Sequence, residues 1–156
     1  MRFEYDITTF PVDPGGYNLT AYTEGVLRLL VGASVFLDAS GILLVEFAVV
    51  LRKWLRACAS GPIDFYYASM DFEEEPILAF RYDTSGGQFR LESVWSETDV
   101  GPVSRAEVIA AAQQYLAQLR DDLKRGHDVD LDKTLEEALM DGCGTGTGTG
   151  AVLHDV

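Results

Sequence analysis

The sequence is poor in the residues on which most hydrolytic and metal-dependent enzymes rely. It has only two histidines, His127 and His154, and two cysteines, Cys58 and Cys143. A catalytic serine or cysteine would have to recruit one of these histidines, which lie at the end of a predicted helix and in a glycine-rich tail. The cysteines show neither zinc-site spacing nor a disulfide framework. The sequence therefore favours a protein that has no cofactor, no metal ligands and no catalytic residues.

Basic residues are also scarce. The chain has 12 Lys and Arg residues against 25 Asp and Glu residues, which gives a formal charge of -13. Nucleic-acid binding depends on Lys and Arg side chains that neutralise phosphates. Anionic lipid surfaces likewise attract cationic segments. The charge therefore argues against a nucleic acid or a membrane as partner. The negative charge would attract a basic protein or a cation. The alternative is that it only keeps the protein soluble.

Long hydrophobic runs are missing. The longest apolar stretch, Ile42–Val50, is interrupted by Glu46 and is too short to cross a bilayer. Residues 1–10 alternate polar and apolar side chains and lack the apolar core of a signal peptide. We therefore expect a cytoplasmic protein. Hydrophobic residues still make up 47% of the 156 residues, which suffices for an ordinary core.

Sequence periodicity predicts an α+β fold with the element order β-β-β-α-β-β-β-α. We expect one antiparallel sheet of about six strands, with two long helices packed on its apolar face. The first long helix is predicted over about Gly41–Ala59, with Asp38 or Ser40 as its N-cap. The predicted strands are Phe3–Phe10, Tyr17–Val31, Val35–Leu37, Asp64–Met70, Ile77–Asp83 and Gln88–Trp95.

Two local patterns predict geometry as well as element type. Ser104 and Glu107 have the spacing of a capping box, in which each side chain accepts a hydrogen bond from the other residue's backbone. This pattern starts the second long helix. The Ser85–Gly86 pair predicts a hairpin turn that places Tyr82 opposite Phe89.

The chain divides by composition into three parts. Residues 1–126 are predicted to form a single α+β domain. Residues 127–141 are predicted to form an acidic connector with a short helix over Asp132–Met140. Residues 142–156 alternate mainly glycine and threonine at first and are predicted to form a flexible tail, since they offer few side chains to pack.

The connector contains a partial calcium-loop pattern. Asp128, Asp130 and Asp132 place carboxylates at alternate positions, as the start of such a loop does. Lys133 stands where the loop requires glycine, and Leu139 stands where it requires a bidentate glutamate. The alternative is a polar connector in which Asp130 or Asp132 caps the short helix.

The most distinctive segment is acidic and aromatic. It follows the predicted strand that contains Phe65, Tyr66 and Tyr67, and its carboxylates belong to Asp71, Glu73, Glu74 and Glu75. Such carboxylates can occupy a basic groove, while Tyr66 or Tyr67 supplies an apolar anchor. The alternative is a solvated loop in which Asp71 caps a turn. We take these six tyrosine and carboxylate side chains as the candidate partner-binding site.

Two function classes follow from these observations. The first is a protein-binding module, such as an immunity or antitoxin-type inhibitor of a basic enzyme. The second is a small-ligand binder or enzyme, with a pocket between the sheet and the first long helix. That pocket would be lined by Glu46, Tyr67 and Asp71. A pocket of paired carboxylates could bind a ligand or transfer protons.

Five segments together resemble a family of small uncharacterised bacterial domains that is common in actinomycetes. They are Ser69–Glu74, Phe89–Trp95, the capped helix from Ser104, Leu43–Ala48 and Trp54–Leu55. The resemblance covers about Met1 to Lys124. It implies a fold unit and a bacterial source, and it implies no activity.

Overall fold

The computed structural model describes residues 1–141. The predicted flexible tail, residues 142–156, lies outside the described residues. The strands are β1 (Arg2–Thr9), β2 (Glu24–Val31), β3 (Ser34–Leu43), β4 (Phe65–Tyr67), β5 (Leu78–Asp83), β6 (Gln88–Glu92) and β7 (Val103–Ser104). The α-helices are α1 (Asn18–Tyr22), α2 (Leu44–Ala57), α3 (Arg105–His127) and α4 (Leu131–Asp141).

The strands form two antiparallel sheets. One sheet has the order β1-β2-β3 and the other has the order β4-β5-β6-β7. The α+β class is confirmed, whereas the single sheet of about six strands and the predicted element order are wrong. The error has a physical cause: alternation shows which side of a strand is buried, but it does not show which strand lies beside it.

The predicted start of α2, with Asp38 or Ser40 as its cap, is also wrong. β3 continues to Leu43, and α2 begins at Leu44 without a side-chain cap. The Leu44 N–H instead donates to the carbonyl oxygen of Thr23, at 2.9 Å. Pairing with β2 therefore keeps the polar residues of β3 in the sheet. Similarly, α1 replaces the first part of the strand predicted over Tyr17–Val31.

The two local predictions are confirmed. The Ser104 hydroxyl accepts a hydrogen bond from the Glu107 N–H at 3.2 Å, and the Glu107 carboxylate accepts one from the Ser104 N–H at 3.4 Å. Tyr82 lies opposite Phe89 in the hairpin of β5 and β6. The short helix predicted over Asp132–Met140 is present as α4, one residue longer at each end. In these cases the pattern of neighbouring residues was sufficient to predict the local structure.

The core lies between the two sheets and the long helices. α2 contacts β2, β3 and β4, whereas α3 contacts β1, β6 and β7. The helices thus pack against both sheets and not against one face of one sheet. Phe47, Trp54, Leu91 and Leu116 all belong to this core. Phe47 is central, because its ring makes edge contacts with four others: Phe3, Phe65, Tyr67 and Tyr115.

Candidate functional site

The four carboxylates of the predicted site lie on the connection between β4 and β5, which we call the acidic loop (residues 68–77), and its two tyrosines lie on β4. The Ile77 N–H donates to the carbonyl oxygen of Tyr67 at 2.9 Å, which closes the base of the loop. Ser69 is buried, and its carbonyl oxygen and hydroxyl accept hydrogen bonds from the N–H groups of Phe72 and Asp71. The loop therefore has a defined path at both ends.

A single tryptophan holds the middle of the acidic loop. The Phe72 ring meets the ring of Trp95 edge-on, with 4.8 Å between centroids. The indole N–H of Trp95 donates to Oε2 of Glu74 at 2.6 Å. Trp95 itself is partly buried and packs against the core. An apolar contact and a hydrogen bond thus fix the loop from within.

The carboxylates of the acidic loop face solvent. Asp71, Glu73, Glu74 and Glu75 are all exposed. None of them forms an ion pair with a basic residue of the described chain. Their charge is therefore not neutralised within residues 1–141, and it is available to a cationic partner.

The two predicted anchor tyrosines point to opposite sides of β4. Tyr66 is 43% exposed, and the guanidinium of Arg81 lies 5.6 Å from the centre of its ring. Burial raises the pKa of the Tyr66 phenol, and the carboxylate of Glu75 raises it further. Tyr67 is fully buried, so the prediction that it could anchor a partner is corrected. Strand alternation causes this difference, because successive side chains point to opposite faces.

Tyr67 instead meets Glu46 inside the protein. Its phenol donates a hydrogen bond to Oε1 of Glu46, at 3.1 Å. Burial raises the pKa of Glu46, although hydrogen bonds with Tyr67 and Ser69 oppose the rise. Burial also raises the pKa of Tyr67, and the Glu46 charge adds to that effect. Glu46 forms no ion pair with a basic residue of the described chain.

On the surface of residues 1–141, three of the clefts have neither Glu46 nor Tyr67 nor Asp71 in their walls. The largest, of about 610 Å³, lies along β6 and the loop that follows it. Its charged lining residues are Asp83, Arg90, Glu92, Glu97 and Asp99. The loop that follows β6 also carries Trp95, which contacts the acidic loop but does not line this cleft. Sequence reasoning missed Glu97 and Asp99, and the only signal for them was their acidic character.

The acidic loop and this cleft belong to one strongly negative part of the chain. Between Asp64 and Asp99 the chain carries nine acidic and two basic residues. One of the two, Arg81, is already paired with Glu92 at 3.1 Å and with Asp64 at 3.6 Å. The negative potential is therefore concentrated around β4, β5, β6 and their connections.

The three connector aspartates do not converge. Asp128 pairs with Lys124 at 2.7 Å, and this lysine lowers the pKa of the Asp128 carboxyl. Asp130 accepts a hydrogen bond from the Lys133 N–H at 3.2 Å, as an N-cap of α4, and Asp132 pairs with Arg52. No group of three potential metal ligands occurs in residues 1–141. Of the two aspartates that the sequence offered as caps of the short helix, Asp130 is the one that caps it.

Residues 3–125 match the family model described as Domain of unknown function (DUF7878). The chain belongs to this family. No curated protein and no solved structure matches the chain. The DUF7878 match extends from β1 almost to the end of α3, so it includes the whole acidic loop and leaves α4 outside. Within residues 1–141 of this DUF7878 protein, no helix is both long and apolar enough to cross a membrane.

Proposed function

We propose that this DUF7878 protein is a protein-binding module that presents the acidic loop and Tyr66 to a basic partner. The observation that carries the proposal is a loop fixed by Phe72 and Trp95 whose carboxylates are exposed and free of ion pairs within the described chain. Binding to a fixed loop loses little conformational entropy, because the loop is ordered before the partner arrives. Charge complementarity speeds association and selects the partner.

Tyr66 completes the proposed surface, which we call the acidic surface (Tyr66, Asp71, Glu73, Glu74 and Glu75). Tyrosine is common among residues that dominate binding energy, since it buries a large ring and still offers a hydroxyl. The carboxylate of Glu75, in the acidic loop, lies near enough to the Tyr66 phenol to raise its pKa. The surface thus combines an aromatic anchor with a negative rim.

The specific form that we propose is an immunity or antitoxin-type inhibitor of a basic enzyme, such as a nuclease, in the bacterial cytoplasm. A nuclease needs a cationic groove because it must neutralise phosphates. Four carboxylates on a fixed loop would compete for that groove by the same electrostatic attraction. Inhibition by this route needs neither a cofactor nor a catalytic residue.

The proposal is tested with a triple variant of the full chain, Glu73→Gln, Glu74→Gln and Glu75→Gln. Proteins captured from a bacterial lysate by the wild-type chain at low salt should be basic, and the triple variant should lose them. Raising the ionic strength should weaken capture of the same proteins, because exposed charges are screened beyond about 8 Å at physiological salt.

A matched control separates a specific surface from total charge. Glu4→Gln, Glu137→Gln and Asp141→Asn remove the same charge from exposed positions outside the acidic part of the chain. This control should bind the basic partner as the wild type does. If both triple variants lose it equally, or if capture does not depend on salt, binding through the acidic surface is wrong.

A second candidate function is a ligand or proton-transfer site at Glu46, Tyr67 and Asp71. It is favoured by the hydrogen bond of Tyr67 with Glu46 and by the raised pKa of that carboxyl, since perturbed carboxyl groups cluster at functional sites. Binding of a small molecule that is abolished by Glu46→Gln, but not by the triple variant of the loop, would support this site. A ligand unaffected by Glu46→Gln would exclude it.

A further inference from the structure

Three arginines of this acidic chain converge on a single cleft between α2 and α3. Arg52 and Arg56 lie one turn apart on α2, and Arg120 reaches the same cleft from α3. The cleft has a volume of about 260 Å³. Such a concentration of positive charge is not expected from the composition, which has about twice as many acidic as basic residues. It therefore calls for a local explanation.

Helical spacing gives this cleft, which we call the arginine cleft, a mixed lining. Gln113, Leu116, Ala117 and Arg120 recur at intervals of three and four residues, so they share one face of α3. Leu55 lies between the two arginines of α2. Guanidinium and amide donors thus stand beside an apolar wall, as in sites that bind an anionic group attached to a compact apolar body.

The donors of these arginines are only partly used. The Nη2 atom of Arg52 lies 3.4 Å from Asp132, longer than the roughly 2.8 Å of a strong charge-assisted hydrogen bond. The Nε atom of Arg52 is buried and has no hydrogen-bond partner in the described chain. Arg120 donates from Nε to the adjacent Asp121. The Nε atom of Arg52 is not accessible from the cleft, whereas the side chains of Arg56 and Arg120 are 51% and 47% exposed and keep N–H donors that a ligand can reach.

We propose that the arginine cleft binds a small compound that carries a phosphate monoester or a similar oxyanion. Guanidinium groups match phosphate oxygens with paired N–H donors, and three of them surround this cleft. The volume is slightly below the range of about 300 to 1,000 Å³ for drug-sized ligands, so the ligand is compact. The arginine cleft is separate from the acidic surface. It attracts anions, whereas the acidic surface attracts a basic partner.

Helix α4 supplies a competitor for such an anion. Asp132 lies in the wall of the cleft and pairs with Arg52, and Glu136 pairs with Arg56. Both carboxylates belong to α4, which lies outside the DUF7878 match. Removing the Asp132 charge should therefore strengthen anion binding, which distinguishes a ligand site from arginines that serve only to hold α4.

The test is titration of the full chain with inorganic phosphate and with phenyl phosphate, followed by calorimetry or by NMR shifts of residues that line the cleft. Arg120→Gln should weaken binding of both by about tenfold or more, as loss of a charged hydrogen bond does. Asp132→Asn should strengthen it. Phenyl phosphate should bind more tightly than phosphate, because of the apolar wall.

Arg2→Gln is the matched control, since Arg2 is exposed and lies outside the arginine cleft. It removes the same charge and should leave phosphate binding unchanged. Circular dichroism verifies that each variant is folded. The proposal is overturned if neither compound saturates the wild-type chain below about 20 mM. Even a site with a Kd of about 1 mM would be nearly full at that concentration. Equal effects of Arg120→Gln and Arg2→Gln would also overturn it, as would weaker binding by Asp132→Asn.

Discussion

The phenol of Tyr67 and the carboxylate of Glu46 form a hydrogen bond that joins β4 to α2, with 3.1 Å between their oxygen atoms. Burial raises the pKa of Glu46 above its ordinary value of 4.5 despite this bond. The folded chain thus holds a proton on Glu46 more tightly than the unfolded chain does. This contribution to stability is fully present below the unfolded pKa, and it is lost as the pH rises through the folded pKa.

We therefore expect Glu46→Gln to change the pH dependence of stability. Glutamine stays neutral, so the variant should gain stability relative to the wild type as the pH rises above about 4.5 and through the raised pKa of Glu46. Urea unfolding at several pH values measures this difference, and the carboxyl groups common to both chains largely cancel. Glu97→Gln, in an exposed loop, controls for loss of a charge. A difference between Glu46→Gln and the wild type that does not vary with pH would contradict the assignment.

Replacing Trp95 should loosen the acidic loop while the fold remains. Trp95→Phe removes the N–H that donates to Glu74, so amide hydrogen exchange in residues 70–75 should accelerate. The free energy of unfolding should fall by only about 1 kcal/mol. Hydrogen exchange followed by mass spectrometry measures the first effect and urea unfolding the second.

Trp54→Phe is the control for the predicted effect of Trp95→Phe. Trp54 is 5% exposed, packs against three aromatic rings and donates to the carbonyl oxygen of Ile63 at 3.0 Å. This change should lower the free energy of unfolding by about 1–3 kcal/mol, without a selective effect on the acidic loop. Unchanged exchange in residues 70–75 of Trp95→Phe would show that Trp95 does not hold the loop.

Helix α4 should contribute to the stability of the fold although it lies outside the DUF7878 match. Leu131 and Leu135 are almost fully buried, so α4 covers part of the core. Leu135→Ala should lower the free energy of unfolding by about 2–4 kcal/mol. Met140→Ala, at a residue that is 74% exposed, should change it by less than about 0.5 kcal/mol. Similar unfolding curves for both variants would show that α4 does not pack as described.

The two serines that the sequence offered as helix caps should behave differently. Ser104→Ala breaks the capping box of α3 and should lower the free energy of unfolding by about 1 kcal/mol. Ser40→Ala should be nearly neutral, within about 0.5 kcal/mol, because Ser40 is an exposed residue of β3 and caps no helix. Chemical unfolding of both variants checks this contrast. An equal loss in the two would contradict the observed start of α2.

These serines show where sequence reasoning succeeded and where it failed. The capping box depends on residues three apart, and their backbone geometry follows once the helix starts. Ser40 also suits a cap, but pairing of β3 with β2 across the sheet outweighs this local preference. The prediction of a single sheet was wrong for a related reason. Which strands lie side by side depends on contacts between distant parts of the chain.

For the candidate site, the sequence by itself determined the acidic loop, its place between two strands and the excess of negative charge. Only the tertiary structure decided which side chains are available there. Tyr67 and Tyr66 are adjacent in sequence, yet packing of β4 against α2 buries one and exposes the other. Likewise, Arg120 is 64 residues or more from Arg52 and Arg56. Helix packing alone brings them together, since local periodicity defines a face but does not identify the surface that meets it.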